Sequence, residues 1–222
     1  MTPGTTVQLY LSRLTLNPRS RQVMSELAQP YEMHRTLLHA FPDKAGGGPQ
    51  RVLFRVETDR DGGMPQVLVQ SLVAPEWSRL SVGGDYLLEE PEWKPFDPQF
   101  QPSQRLVFRL RANPTVKRDG KRHAWFREED QITWLQRKAC GEGKNATPAG
   151  FEILSVRVIP EGTVHGRKRD NGRAHDLAHF SVLFEGVLEV THPEQLQNAL
   201  AQGIGPAKAF GFGLLSLARA SQ

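Results

Sequence analysis

Leu106-Val107-Phe108-Arg109-Leu110-Arg111-Ala112-Asn113-Pro114 is the stretch that decides how the chain is organised. Leu106, Phe108 and Leu110 alternate with Val107 and Arg109, the period of a half-buried β-strand. Just upstream, Pro91, Pro95, Pro98 and Pro102 place four prolines in twelve residues, a composition that suits an extended linker. The strand therefore opens a second round of elements instead of continuing the first.

The first round reads back to the N-terminus. Leu9 to Leu16 is a strand that ends at the turn signal Asn17-Pro18, and Ser20 can cap a short helix through Met24 and Leu27. Pro30 suits the first turn of a second helical segment, Tyr31 to Ala40. Gly46-Gly47-Gly48-Pro49 is a loop. Val52, Phe54 and Val56 alternate in a strand, Asp61-Gly62-Gly63 turns, and Gln66 to Leu72 is the hairpin partner. A short helix near Pro75 to Leu80 and an edge strand near Tyr86 to Leu88 complete β-α-β-β-α-β.

The second round has the same order. After the 106–110 strand, Glu128 to Lys138 is a helix with acids first and bases last, matching the macrodipole. Phe151 to Ile159 and Phe180 to Val190 are strands. Thr191 and Glu194 form a capping-box pair before another helix, and Ala209 to Leu217 is the last strand. The expectation is an α+β chain of two tandem ferredoxin-like domains, 9–90 and 104–219, joined by a proline-rich linker at 91–103.

Composition narrows the setting. Of 222 residues, 38% are hydrophobic and 23% charged, which supports a folded core and excludes a disordered chain. The net charge of +4 is modest, so its placement matters more than its size. The single cysteine, Cys140, excludes an intrachain disulfide and a cysteine-rich metal site. Met1 to Gln8 lacks the apolar core of a signal peptide, and no apolar run reaches a membrane span. A cytoplasmic protein without a membrane partner is expected.

Four groups of residues can carry chemistry. In Pro30-Tyr31-Glu32-Met33-His34-Arg35, Tyr31 and His34 lie three apart and share a helix face, with Arg35 beside them. A phenol, an imidazole and a guanidinium near free helix N–H groups suit phosphodiester cleavage, because cutting RNA internally moves protons at a 2′-hydroxyl and a leaving 5′-oxygen. The bland alternative is a Tyr and a His that pack a helix onto a sheet, and residue types alone favour it.

Gly203 to Leu215 holds four glycines within the eleven residues 203–213, with Lys208 inside. The segment can hold an RNA backbone or serve as a tight helix-to-strand connection. It matches neither a P-loop nor a dinucleotide fingerprint. Two basic loops follow: Lys117, Arg118, Lys121, Arg122, His123 and Arg127 in one, and His165, Arg167, Lys168, Arg169 and Arg173 at a hairpin tip. Either can track phosphates or be merely solvated. His175 and His179 have a zinc-pair spacing but no intervening Glu and no third ligand, so no catalytic metal and no cofactor are expected.

Together these segments resemble the CasE endoribonucleases of type I-E CRISPR systems, from about Leu9 to Leu217. The marks are Leu11-Ser12-Arg13-Leu14, Tyr31 through Leu37, Phe108 through Pro114, Leu183-Phe184-Glu185-Gly186 and the glycine-rich end. The resemblance implies two tandem ferredoxin-like domains and metal-independent cleavage at the 3′ base of a CRISPR repeat RNA stem-loop. The products carry a 5′-hydroxyl and a 2′,3′-cyclic phosphate. The guide RNA stays bound, and the Cascade complex subunits are the protein partners. It implies His34 and Tyr31 as catalytic, Arg35 as RNA-binding, and a loose match of the family's basic hairpin to Arg167, Lys168 and Arg169. Lys208 joins the RNA-binding set. Met1 to Gln8 resembles an extension without an assigned role. Two other readings remain: a non-catalytic RNA-hairpin-binding module of the same fold, and a small-molecule enzyme with a closed apolar pocket, against which the open basic loops argue.

Overall fold

The computed structural model describes residues 8–45, 50–57, 63–80, 85–142, 147–170 and 173–220, with the backbone alone at 167–170 and 173–175. The expected loop at Gly46–Pro49 and most of the Asp61-Gly62-Gly63 turn lie outside the described residues. The chain divides into two compact units. The first comprises Met1–Asp97, His165–Leu177 and Ala209–Gly211, and the second Pro98–Val164, Ala178–Lys208 and Phe212–Gln222. The hairpin tip and residues 209–211, expected from sequence in the second domain, thus pack with the first unit.

In the first unit, β1 (Leu9–Thr15), β2 (Val52–Glu57), β3 (Gln66–Ser71) and β4 (Glu92–Phe96) form a sheet in the order β2-β3-β1-β4. All paired neighbours are antiparallel. Helices α1 (Arg21–Ala28) and α2 (Pro30–Leu38) connect β1 to β2. This is the strand order of a ferredoxin-like unit. Ser20 caps α1 as expected, its side chain accepting from Val23 N–H. Pro30 stands in the first turn of α2, where its missing N–H costs no helical bond. Met33 and Leu37, four apart, are fully buried and fix α2 over Leu14, Val52, Phe54 and Val69. A buried Glu26 accepts from Tyr86 Oη and, at 2.6 Å, from Thr36 Oγ1, tying α1 to α2 and to the chain after β3.

Three expectations for this unit change. The helix near Pro75 to Leu80 is a single 3₁₀ turn, Trp77–Leu80. Tyr86 to Leu88 makes only an isolated bridge, Leu16 to Leu87. The edge strand is instead Glu92–Phe96, inside the stretch read as a linker, and it pairs with Leu9–Arg13. Its proline, Pro95, is tolerated because an edge strand leaves one side of its ladder open.

In the second unit, β5 (Arg105–Ala112), β8 (Phe151–Asp170), β9 (Arg173–Val190) and β10 (Leu215–Arg219) form a sheet in the order β10-β5-β9-β8. Leu106, Phe108, Leu110 and Ala112 are all buried, as the alternation requires. Helices α3 (Glu128–Cys140) and α4 (Pro193–Gln202) complete the unit. Helix α3 has Glu128, Glu129 and Asp130 in its first turn, Arg137 and Lys138 in its last, and left-handed Gly141 after it. With two four-stranded sheets of equivalent order, the fold is the expected pair of ferredoxin-like units.

Here too the details differ. The basic segment 117–123 is not a loop but a two-stranded ribbon, β6 (Thr115–Arg118) and β7 (Lys121–Ala124), closed by Asp119 and Gly120 in left-handed conformation. Strands β8 and β9 extend well beyond the two short strands expected. The Thr191/Glu194 capping box does not form. His192 is the N-cap, no side chain caps the helix, and Pro193 opens it. The last strand starts at Leu215 rather than Ala209, because Gly211 and Gly213 sit at φ 82° and 89°, outside strand geometry. Among the described residues, no helix is long and apolar enough to cross a membrane.

Candidate active site

The first turns of α2 place Tyr31 and His34 on one face, and both side chains are half-buried. The His34 ring lies 6.0 Å from the Phe54 ring on β2, centroid to centroid. The Tyr31 ring lies 5.5 Å from that of Phe210. These two aromatic supports are joined by Gly211, where an added Cβ would stand 3.4 Å from Phe54. Its φ of 82° brings the backbone that close.

Burial pushes the His34 imidazole down to about 4, and the positive charge of Arg51 pushes the same way. A hydrogen bond to the Val52 backbone partly opposes them. The ring is therefore neutral near pH 7, with one nitrogen engaged and the other able to accept a proton. Arg35 is exposed and donates to Glu32 at 2.9 Å, one turn along the same helix.

The hairpin tip reaches the same place within the first unit. An added Cβ on Gly166 would stand 2.4 Å from Phe210 Cε1, so only glycine lets β8 pass this ring. Gln29 at the start of α2, with His165, Gly166, Asp176 and Leu177 of the tip, lines an open cleft of about 540 Å³. Arg167, Lys168 and Arg169 follow Gly166 directly on β8, and their side chains lie outside the described residues.

The glycine-rich segment divides in its roles. Lys208 Nζ donates to Gly205 carbonyl at 2.6 Å, closing its own loop in the second unit. Phe210 and Gly211 serve the site in the first. Of the two spaced histidines, His179 bonds Asn113 Nδ2 at 3.0 Å and stands edge-on to Phe212, as a structural strand residue would. The side chain of His175 is outside the described residues.

Sequence reading brings Tyr31, His34 and Arg35 together but misses Phe54, Phe210, Gly166 and Arg51. Phe210 lies within the glycine-rich run without a role, and Phe54 is visible only as a strand position. The pairing of Phe210 with α2 spans well over a hundred residues, a separation no local pattern carries.

The family model described as CRISPR associated protein matches residues 9–219. The chain is 42% identical over 220 residues to the CRISPR-associated endoribonuclease Cse3 of Thermus thermophilus, covering 95% of this chain and 100% of that protein. It is 31% identical over 201 residues to the CRISPR system Cascade subunit CasE of Escherichia coli, covering 85% and 91%. A solved structure of Thermus thermophilus Cse3, bound to an RNA representing a pre-cleavage complex, superposes with a TM-score of 0.79. It is 39% identical, over 95% of this chain and 99% of that one. A match of this extent, together with the tandem ferredoxin-like fold, places the chain in the CRISPR associated protein family of Cse3 and CasE.

Proposed function

We propose that the protein is an endoribonuclease that cuts CRISPR precursor RNA at the 3′ base of the repeat stem-loop, keeps the guide RNA bound and joins a Cascade complex. The observation that carries this is 42% identity over 95% of the chain to a CRISPR-associated endoribonuclease, and the burial that holds the His34 imidazole neutral supports it. In this reading His34 takes the proton from the 2′-hydroxyl that attacks the adjacent phosphate. The new O–P bond gives a 2′,3′-cyclic phosphate, and the broken P–O bond releases a 5′-oxygen that takes a proton from solvent to become the 5′-hydroxyl, while His34 returns its own proton to solvent.

Tyr31 contributes a hydroxyl on the same helix face, held by its ring against Phe210. Arg35, Arg167, Lys168, Arg169 and Lys208 hold RNA. Arg35 does so by exchanging its Glu32 partner for a phosphate, an exchange an exposed pair makes at little cost. The nucleophile belongs to the substrate, so metal-independent cleavage is part of the proposal.

The test is cleavage of one repeat RNA in EDTA with both product ends identified. A 2′-deoxy substitution just 5′ of the scissile phosphate should stop cutting and leave binding intact. Cutting of that substrate at the normal rate, or a strict Mg²⁺ requirement, would refute the mechanism. Binding with no cleavage of any repeat RNA would favour the hairpin-binding module instead.

A further inference from the structure

The ribbon β6–β7 carries a charge arrangement that the fold itself does not need. Lys117 lies directly opposite Arg122, and Arg118 opposite Lys121. Like charges in direct cross-strand register destabilise a sheet. Arg118 has a neighbour of its own, its guanidinium lying 5.7 Å from the Trp125 ring centroid. The other three cations are exposed. Four cations around one tight turn, with Asp119 as the only acid in the ribbon, form a surface that an anion would relieve.

A second observation is independent of that register. The second unit holds a cleft of about 690 Å³ into which the ribbon sends Lys117 and Arg122. Lys138 from the last turn of α3 and Lys208 from the glycine-rich segment line it as well. Among the described lining residues there are four cations and no carboxylate. The Gly203–Pro206 turn lines it too, held close to Trp134, whose ring an added Cβ on Gly205 would meet at 2.9 Å. Trp134 also lines the cleft, but only 6% of it is exposed and its ring stacks on Phe184, so it offers no platform for a base. The charge of Arg122 is felt locally: with burial, it lowers the His179 pKa.

We propose that this cleft, formed by the β6–β7 ribbon, the end of α3 and the Gly203–Pro206 turn, is a second RNA site that grips sugar-phosphate backbone without reading bases. The proposal rests on the RNA-processing reading and extends it, since the residues assigned above to cleavage belong to the first unit. Cations without an exposed aromatic platform recognise phosphates and leave sequence unread. Such a site adds affinity and salt dependence but does not select the repeat.

The test compares wild type with a Lys117→Ala/Arg122→Ala/Lys138→Ala variant and a charge-keeping Lys117→Arg/Arg122→Lys/Lys138→Arg variant. Each is titrated across salt concentrations with the repeat stem-loop and with a single-stranded RNA of unrelated sequence. The alanine variant should bind both RNAs at least ~10-fold more weakly. Its log-log salt slope should fall by about 2, at roughly 0.7 for each phosphate no longer neutralised. The charge-keeping variant should retain the wild-type slope. Unchanged affinity and slope in the alanine variant, or equal loss in both variants, would overturn the proposal. Cleavage of the repeat RNA by wild type in the same experiment tests the endoribonuclease reading separately, so the two can fail independently.

Discussion

The Tyr31 ring rests 5.5 Å from the Phe210 ring although 179 positions separate them in sequence. Gly166 passes so close to Phe210 that an added Cβ would stand 2.4 Å from Cε1, so one ring joins α2, the hairpin tip and the glycine-rich segment. A substitution at Gly166 therefore tests whether that ring positions the site. Gly166→Ala forces the ring to move, since a Cβ 2.4 Å away is not tolerated. Overpacking of this kind costs about 1–3 kcal/mol in stability. Cleavage should fall ~10-fold or more at saturating RNA, read in single-turnover assays beside a urea melt. Full activity at reduced stability would separate Phe210 from Tyr31 function.

His34→Ala should remove cleavage, a loss of about 10²–10⁴-fold, with hairpin affinity held within a few fold. Tyr31→Phe should lose less, because the proposal gives the proton transfer at the 2′-hydroxyl to His34 and only a supporting hydroxyl to Tyr31. Single-turnover rates and filter-binding constants on the two variants decide the ranking. An equal or larger loss at Tyr31 would reverse the roles.

The pH profile follows from His34. Its folded value, about 4, lies below the ordinary 6.5, so the base form persists far into acid. Cleavage should stay flat down to about pH 5, where an ordinary histidine would show a limb near 6.5. The stability consequence has the same direction. Protonation favours the unfolded chain, so this contribution is present above about pH 6.5 and is lost as pH falls toward 4. Urea melts of wild type and His34→Phe across that window should diverge. Parallel curves would mean that His34 is not held in its neutral form by burial.

Tyr86→Phe should destabilise the first unit without touching chemistry. It deletes the hydroxyl that donates to buried Glu26, and a hydrogen bond to a charged group is worth about 1.5–3 kcal/mol. Burial and the Glu26 partner both hold the Tyr86 hydroxyl well above its usual pKa. The contribution is therefore present below about pH 10 and fades as pH rises beyond it. Equal midpoints for wild type and Tyr86→Phe at pH 7 would contradict this.

Replacing Arg167, Lys168 and Arg169 together by alanine should weaken hairpin binding strongly and lower the salt slope by roughly 0.7–0.9 for each phosphate left without its cation. These residues follow Gly166, which packs on the Phe210 support of Tyr31, so the tip enters the region of the candidate site. Catalysis at saturating protein should survive better than binding. Salt titrations and single-turnover rates on the triple variant check both parts, and an unchanged slope would leave these side chains as a solvated tip.

What the sequence determined by itself is local. Alternation at 106, 108 and 110, the Ser20 cap, Pro30 at a helix start and the acids and bases of α3 each act within a few residues, and each appears as read. The i, i+3 spacing likewise puts Tyr31 and His34 on one face by helix geometry alone. Tertiary structure decided the rest. Glu92–Phe96 became the edge strand because β1 offered an open ladder to a segment whose prolines read as linker. Residues 117–123 became a ribbon because Asp119 and Gly120 adopt the two left-handed conformations that a tight hairpin needs. The neutral state of His34 depends on burial against β2, and the support of Tyr31 depends on a ring from near the C-terminal end. Burial and long-range packing are properties of the assembled chain, so no window of sequence contains them.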